Sequence, residues 1–370
     1  MKKTSLLFFL PVAAIALTSC EQVIKYSEHL DDYVFTMDYH DNFKILQLTD
    51  IHWNYNTSTV SSKQYLDKVL AEAKKHAGQI DLVELTGDLF MLANAYHVDS
   101  FINYFEAKAE EYGFKYAVIW GNHDHHGLYN PNWLSSRFSN AKHCMHYDPN
   151  DDLYGRGNYV INLQAAGVTT WQIVNLDSGA SFSETAVSPF REYDYIRKDQ
   201  TDWWKKEHDK VGALVPAIAY YHIPQDENLK AWNEVQADPA SHKNKFFKLE
   251  EFADNGMEEY ESDFIDVGSE NNLKAAFMGH AHNVDWTVDY KGVTIGLGVK
   301  TGTELYFAHV DASSELPEVK SGLASTGISE NFDLIGASLV TLTSALGTFD
   351  LEHLYLNERA NGDFVKWVAY

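Results

Sequence analysis

Phe43-Lys44-Ile45-Leu46-Gln47-Leu48-Thr49-Asp50-Ile51-His52 decides how this chain is read. An apolar run of strand length gives way to a carboxylate, and an imidazole follows two residues later. Alternate residues of an extended chain point the same way, so Asp50 and His52 can grip one ion together. The pattern recurs. Residues 81–85 form a short apolar run ending at Gly87-Asp88, and residues 115–120 one ending at Gly121-Asn122-His123-Asp124. Between them, 62–76 and 98–112 carry apolar residues near helical spacing, with Gly113 placed to cap the second helix. Strand, helix, strand, helix, strand is the succession of βαβ units around a largely parallel sheet.

Further strands are predicted over 159–163, 170–176, 213–221, 273–278, 284–289, 293–298 and 304–309, with a helix over 200–210. Two of these runs end in imidazoles: His222, and Gly279-His280-Ala281-His282. Sites in open α/β sheets assemble at the carboxyl ends of strands, so clusters distant in sequence can converge there. Asp50, His52, Asp88, Asn122, His222, His280 and His282 supply oxygen and imidazole donors suited to hard-to-borderline divalent ions such as Mn, Zn, Fe or Mg. Asp88 has two carboxylate oxygens and can bridge two ions. Two dications outweigh Asp50, Asp88 and one bridging hydroxide, so such a centre stays positive and draws in a phosphate. Ions roughly 3.5–4 Å apart would clamp the attacking oxygen for in-line displacement at phosphorus. His123 is read as the general acid that protonates the departing alkoxide, with Asp124 orienting its imidazole. His125 and His126 extend the same loop and are read as ordinary loop residues.

The 370 residues carry a formal charge of -24, with no basic concentration that could track nucleic-acid phosphates. The same balance argues against clinging to anionic lipid by charge. Lys2, Lys3 and an apolar stretch over 6–17 make an export signal too short to span a bilayer comfortably. Leu17-Thr18-Ser19-Cys20 resembles a bacterial lipobox, which implies a lipid on Cys20 and a place in the cell envelope, anchored to the membrane. Cys144 is the only other cysteine, so with Cys20 lipidated no internal disulfide forms. His143-Cys144-Met145-His146 looks like a metal cluster but has no second ligand set, and is read as a loop with a half-buried thiol. The chain divides into a signal (1–19), a tether (20–40), one catalytic domain (41–310) and appended C-terminal strands (311–370).

With these residues in place, the chain resembles the calcineurin-like metallophosphoesterase superfamily, whose signature runs D-x-H, GD, GNH[DE], H and GHxH. The resemblance implies an α/β fold, a β-sandwich of two mixed sheets flanked by helices. It also implies that Asp50, His52, Asp88 and His282 bind one metal, and Asp88, Asn122, His222 and His280 the other. Phe43 to Asp50, Gly155-Arg156-Gly157-Asn158-Tyr159, Leu176-Asp177-Ser178-Gly179, Tyr221-His222-Ile223-Pro224 and Lys300-Thr301-Gly302 are similar to the branch of fungal dose-dependent cell-cycle regulator phosphatases and their purple-acid-phosphatase-like plant relatives. Two-metal hydrolysis of phosphomonoesters is the expected activity. A phosphodiesterase acting on nucleotides or lipid head groups shares every ligand, and a metal-binding module without turnover is the remaining alternative. Two departures stand out. Leu89-Phe90-Met91-Leu92 lacks the ligating tyrosine that purple acid phosphatases place after GD, and Ala281 stands where the branch often has Asp.

Overall fold

The computed structural model describes residues 34–53, 61–126, 128–148, 153–180, 193–237, 244–248, 262–359 and 362–370. The export signal and Cys20 lie outside them. In chain order the elements begin with β1 (Val34–Asp38), β2 (Phe43–Leu48), α1 (Ser62–Ala77), β3 (Leu82–Thr86), α2 (Ala95–Tyr112), β4 (Lys115–Ile119), α3 (Pro131–Phe138) and β5 (Cys144–Met145). There follow β6 (Tyr159–Ala165), β7 (Val168–Asn175), α4 (Lys198–Val211), β8 (Ala217–Tyr220), α5 (Asp226–Ala237), β9 (Asn244–Lys248), α6 (Phe264–Glu270) and β10 (Leu273–Met278). The chain closes with β11 (Val284–Tyr290), β12 (Val293–Leu297), β13 (His309–Val310), α7 (Pro317–Thr326), β14 (Phe332–Asp333), β15 (Gly336–Ser344), β16 (Thr348–Arg359) and β17 (Gly362–Ala369).

These strands form two facing sheets, in the orders β1-β6-β7-β8-β10-β12-β11-β9 and β17-β16-β15-β2-β3-β4-β5, beside a small β13-β14 ribbon. Each large sheet mixes parallel and antiparallel pairs, so the architecture is the expected α/β sandwich of two mixed sheets. Strand periodicity explains why the early strands read as unbroken apolar runs. Phe43, Ile45, Leu82, Ala117 and Ile119 face the second sheet in one core, while Leu46, Leu48, Val83, Leu85, Tyr116 and Val118 face α1, α2 and α3 in another. Strands buried on both faces need apolar residues at nearly every position. On the outer face of the other sheet, Trp204 of α4, Trp232 of α5 and Phe264 of α6 complete the cover. A fully buried apolar side chain stabilises by about 1.5–3 kcal/mol, so these layers dominate the fold's energetics.

The two helices read from periodicity carry the caps that bound them. The Ser61 hydroxyl accepts from Gln64 N (3.2 Å), and the Asn94 amide oxygen accepts from His97 N (2.9 Å). Gly113 ends α2 in the left-handed conformation. Three differences from the sequence reading matter. Residues 34–38, assigned to the tether, form β1 and pair in parallel with β6. Residues 304–308 form no strand; Leu305 has φ 62° there, which breaks extended pairing. The helices α3, α5, α6 and α7 are absent from the sequence reading; α3 and α6, of 8 and 7 residues, are too brief to show periodicity, although Pro131 and Pro317 at the starts of α3 and α7 are a recognisable signal. In the tail, β15 pairs antiparallel with β2, so the strand leading to Asp50 has a C-terminal neighbour on one side and β3 on the other.

Candidate metal centre

All seven sequence-predicted ligands meet at one end of the sandwich, each just beyond a strand. Asp50 and His52 follow β2, Asp88 follows β3, Asn122 follows β4, His222 follows β8, and His280 and His282 follow β10. One donor from each of Asp50, His52, Asp88 and His282 lies within 4.8 Å of the others, and so does one from each of Asp88, His222 and His280. Asp88 belongs to both groups. His282 Nε2 is 3.2 Å from Asp50 Oδ1 and 3.3 Å from His52 Nε2; His222 Nε2 is 3.4 Å from Asp88 Oδ2. Asn122 Oδ1 joins the second group through His280 Nδ1, at 2.9 Å.

The backbone is bent to bring them there. Asp50 (φ 54°), His52 (φ 48°), Asp88 (φ 49°) and His280 (φ 75°) all occupy the left-handed region, which costs non-glycine residues free energy. Hydrogen bonds over-determine the strained turn: Asp50 N donates to Gly87 O (3.1 Å) and His52 N to Asp88 O (3.0 Å). Lys300-Thr301-Gly302 clamps the other side. Lys300 Nζ and Gly302 N both donate to Asp50 O (2.6 and 3.2 Å), and Thr301 exchanges hydrogen bonds with the Thr49 main chain. Gly279 is obligatory, because a Cβ there would overlap the Thr49 hydroxyl and crowd the Asp50 carboxylate.

The donor set fits divalent cations. Nδ1 of His222 is hydrogen-bonded to Thr86 O (2.9 Å), and Nδ1 of His282 to Tyr306 O (3.1 Å). With those protons on Nδ1, each Nε2 presents a lone pair to the pocket, the tautomer a metal-binding imidazole needs. His222 Nε2 is buried without a hydrogen-bond partner. Electrostatics points the same way. Burial alone would raise the Asp50 and Asp88 carboxyls, yet the surrounding imidazoles outweigh it and hold both below the usual range. Burial would depress His222, but the Asp88 carboxylate raises it to about 9; burial and the His222 charge push its neighbour His280 down to about 3. Two buried carboxylates thus demand positive charge between them, and the side chains arrayed there are those that coordinate it.

The surroundings correct part of the sequence reading. Asp124 does not support His123. Its buried carboxylate accepts main-chain N–H groups of Leu89 (3.2 Å), Phe90 (2.9 Å) and Gly121 (2.9 Å), pinning the Asn122 turn to the segment after Asp88. The Asp124 side chain is fully buried, while the His123 side chain is about a fifth exposed. The His123 ring stands 5.4 Å from the His52 ring, with Nε2 4.0 Å from Asp88 Oδ2 and Nδ1 buried without a hydrogen-bond partner. Lys300 is buried behind Asp50 rather than open to a substrate, and burial lowers its ammonium to about 8.

The stretches quoted for the branch have structural work. Asp177 accepts from Arg156 N (2.7 Å) and Gly179 N (2.9 Å) and pairs with His125 Nε2 (3.2 Å), so His125 is braced from a second loop. The Ser178 hydroxyl accepts from His222 N (3.3 Å) and Ile223 N (2.8 Å), fixing the turn that delivers His222. The His126 ring meets the His123 ring edge-on at 5.1 Å. Two tyrosines that sequence reasoning did not single out touch ligands: Tyr193 packs on His280 (4.4 Å between rings) and Tyr306 on His282 (4.7 Å). Leu89 and Phe90, where a ligating tyrosine was absent, are buried in the helix-side core. His143-Cys144-Met145-His146 gathers no ligand set among the described residues. His143 pairs with Glu106, His146 bonds Val118 O and Ser135, and Cys144 is fully rather than half buried.

The chain belongs to the calcineurin-like phosphoesterase family, whose model matches residues 43–284. It is a hydrolase acting on phosphoester bonds. Among similar proteins, the "Probable inactive purple acid phosphatase 28" of Arabidopsis thaliana is 24% identical over 308 residues, covering 71% of each chain. "Phosphatase DCR2" of Saccharomyces cerevisiae is 27% identical over 208 residues, 50% of this chain and 35% of that protein. Both lie in the branch that the sequence resembles. Among solved structures, the 5'-nucleotidase precursor from Thermus thermophilus aligns with a TM-score of 0.41 at 12% identity, over 85% of this chain and 54% of that one. The Haemophilus influenzae NAD nucleotidase aligns with a TM-score of 0.42 at 12% identity, over 90% and 54%. The chain therefore spans about half the length of these two structures.

Proposed function

We propose that this chain hydrolyses phosphomonoesters with two divalent ions, one held by Asp50, His52, Asp88 and His282, the other by Asp88, Asn122, His222 and His280. The observation that carries the reading is the position of Asp88, whose carboxylate belongs to both donor groups. When bound, such ions supply Lewis acidity at the phosphoryl oxygens and acidify water. The chain's own residues do the rest. Thr86 O and Tyr306 O fix the His222 and His282 tautomers, and Lys300 with Gly302 fixes the Asp50 turn. His123, partly open to solvent beside His52 and Asp88, protonates the departing alkoxide. Asp124 is a positioning residue that holds the His123 loop through main-chain donors.

Monoester preference is tested by paired assays of p-nitrophenyl phosphate and bis-p-nitrophenyl phosphate on the chain loaded separately with Mn, Zn, Fe or Mg. Elemental analysis of the purified chain is run alongside. Two equivalents of metal and faster monoester turnover are expected. Faster diester turnover would replace the reading with a phosphodiesterase, and one equivalent or none would overturn the two-ion assignment. "Inactive" in the name of the plant relative belongs to that protein; this chain keeps every residue the two-ion reading requires. Export and a lipid on Cys20 complete the proposal, on the strength of the signal-like residues 1–20.

A further inference from the structure

The segment between β12 and β13 brings a tyrosine ring to the metal centre, and the orientation of His282 does not need that ring. Ser62 Oγ donates to the buried Glu304 carboxylate (3.3 Å), Leu305 turns the chain at φ 62°, and the Tyr306 carbonyl meets His282 Nδ1 at 3.1 Å. A main-chain carbonyl fixes the imidazole whatever side chain residue 306 carries. The ring nevertheless packs on the His282 ring at 4.7 Å, tilted by 42°, and 56% of the residue stays exposed. An exposed aromatic side chain is ordinary by itself. Of the exposed tyrosines, however, Tyr96 meets His97 and Tyr154 meets Arg197, whereas Tyr306 meets a candidate ligand.

Tyr306 also stands on a particular side of the centre. His282 and His52 share the first donor group, with rings 5.1 Å apart, and the His123 ring lies 5.4 Å beyond His52. The general acid and the Tyr306 ring thus flank the same pair of imidazoles. Tyr193 packs instead on His280, in the second donor group. A general acid must reach the departing oxygen, so the organic group on that oxygen departs on the His52 side. The Tyr306 main chain is already pinned there, so its ring loses little freedom when a substrate arrives. An aromatic ring adds offset-stacked or edge-to-face contact with another ring to the area it covers. A further anionic group is disfavoured by the formal charge of -24, and the Lys300 ammonium is buried against Asp50 O. The occupant that fits is neutral and aromatic.

We propose that the Tyr306 ring is the platform for the organic group of the ester, and that the favoured substrates are phosphate esters of uncharged aromatic alcohols. This rests on the phosphomonoesterase reading, in which His123 serves the departing oxygen. Benzyl phosphate and ethyl phosphate test it, because both release alkyl alcohols and they differ chiefly in the ring. In the parent chain, kcat/KM should favour benzyl phosphate by about three- to tenfold, mainly through KM. Tyr306→Ala should erase that preference and Tyr306→Phe should keep it. Cyclohexylmethyl phosphate should fall below benzyl phosphate; parity would overturn the aromatic assignment. Calorimetric titration of the metal-loaded chain with benzylphosphonate and ethylphosphonate, neither of them hydrolysable, should give the same ratio in Kd. An equal loss on both compounds in Tyr306→Ala, or loss of bound metal, would make the ring a support for His282 and overturn the proposal. So would equal affinity in the parent, no binding of either phosphonate, or a preference removed by Tyr193→Ala instead. Faster diester turnover, or fewer than two equivalents of metal, overturns the phosphomonoesterase reading alone, since the phosphonate ratio is read without turnover.

Discussion

Asp88 and Glu84 are fully buried carboxylates four residues apart, and they live in opposite surroundings. Asp88 closes the loop after β3 with His52, His123 and His222 near it, and their charges overcome the cost of burial. Glu84 points from the middle of β3 into the space between the sheets, and burial raises it to about 8, with Asn175 only partly offsetting the rise. Both oxygens of Glu84 lack a hydrogen-bond partner, and so do the buried polar atoms of Asn175 and the hydroxyl of Tyr220. One carboxylate has been surrounded with groups that want its charge; the other persists as a polar group in an apolar layer. Burial alone, therefore, does not mark a functional acid. The company it keeps does.

The sharpest way to break this contrast is Asp88→Asn. It removes the charge shared by both donor groups while keeping the shape, and it should abolish turnover and reduce bound metal to one equivalent or less. The loss should exceed the roughly 10²–10⁴-fold expected from removing a general acid. Retained activity and metal would mean that the two groups are not bridged by this carboxylate. His123→Ala comes next. It should cost about 10²–10⁴-fold on alkyl phosphates and far less on aryl esters, whose leaving groups need no proton. An equal loss on both would assign His123 to positioning.

Asp124→Asn probes the correction made above. An amide cannot accept all three main-chain donors, since its NH2 faces one of them. Activity should fall by about 10–100-fold, the scale typical of residues that orient ligands. The loss should be alike for alkyl and aryl esters, because the Asn122 turn shifts while the acid itself remains. A selective loss on alkyl esters would restore Asp124 as the partner of the His123 imidazole.

The ligands were legible because each follows an apolar strand run, and strand ends converge in this fold whatever the intervening sequence. What lay beyond them was not. His123 and Asp124 are adjacent in sequence, which suggested a pair, but the tight turn sends their side chains in different directions. The sequence does not place Lys300; the tertiary fold puts its ammonium against the Asp50 carbonyl. Glu304-Leu305-Tyr306-Phe307 has strand composition, yet the left-handed Leu305 turns it into a loop whose carbonyl orients His282. β1 is a five-residue edge strand, too short and too mixed to stand out from a tether. Glu84 was hidden in plain view, inside a run whose other members are apolar.

Glu84→Gln is the mildest change and separates the two carboxylates most cleanly. The folded state raises Glu84 from an ordinary value of 4.5 to about 8, so the native chain binds this proton more tightly than the unfolded chain. Stability from this group is therefore fully present below about 4.5 and is lost as pH rises through about 8. Glutamine cannot ionise, so the variant should match the parent near pH 5 and exceed it at pH 9 by on the order of a few kcal/mol. Urea unfolding at the two pH values, with equal metal content, reads the difference directly. Activity at pH 7 should be unchanged, because Glu84 touches no candidate ligand. A variant that tracks the parent at both pH values would mean that Glu84 is ionised and paired in the folded chain, and the contrast with Asp88 would then dissolve.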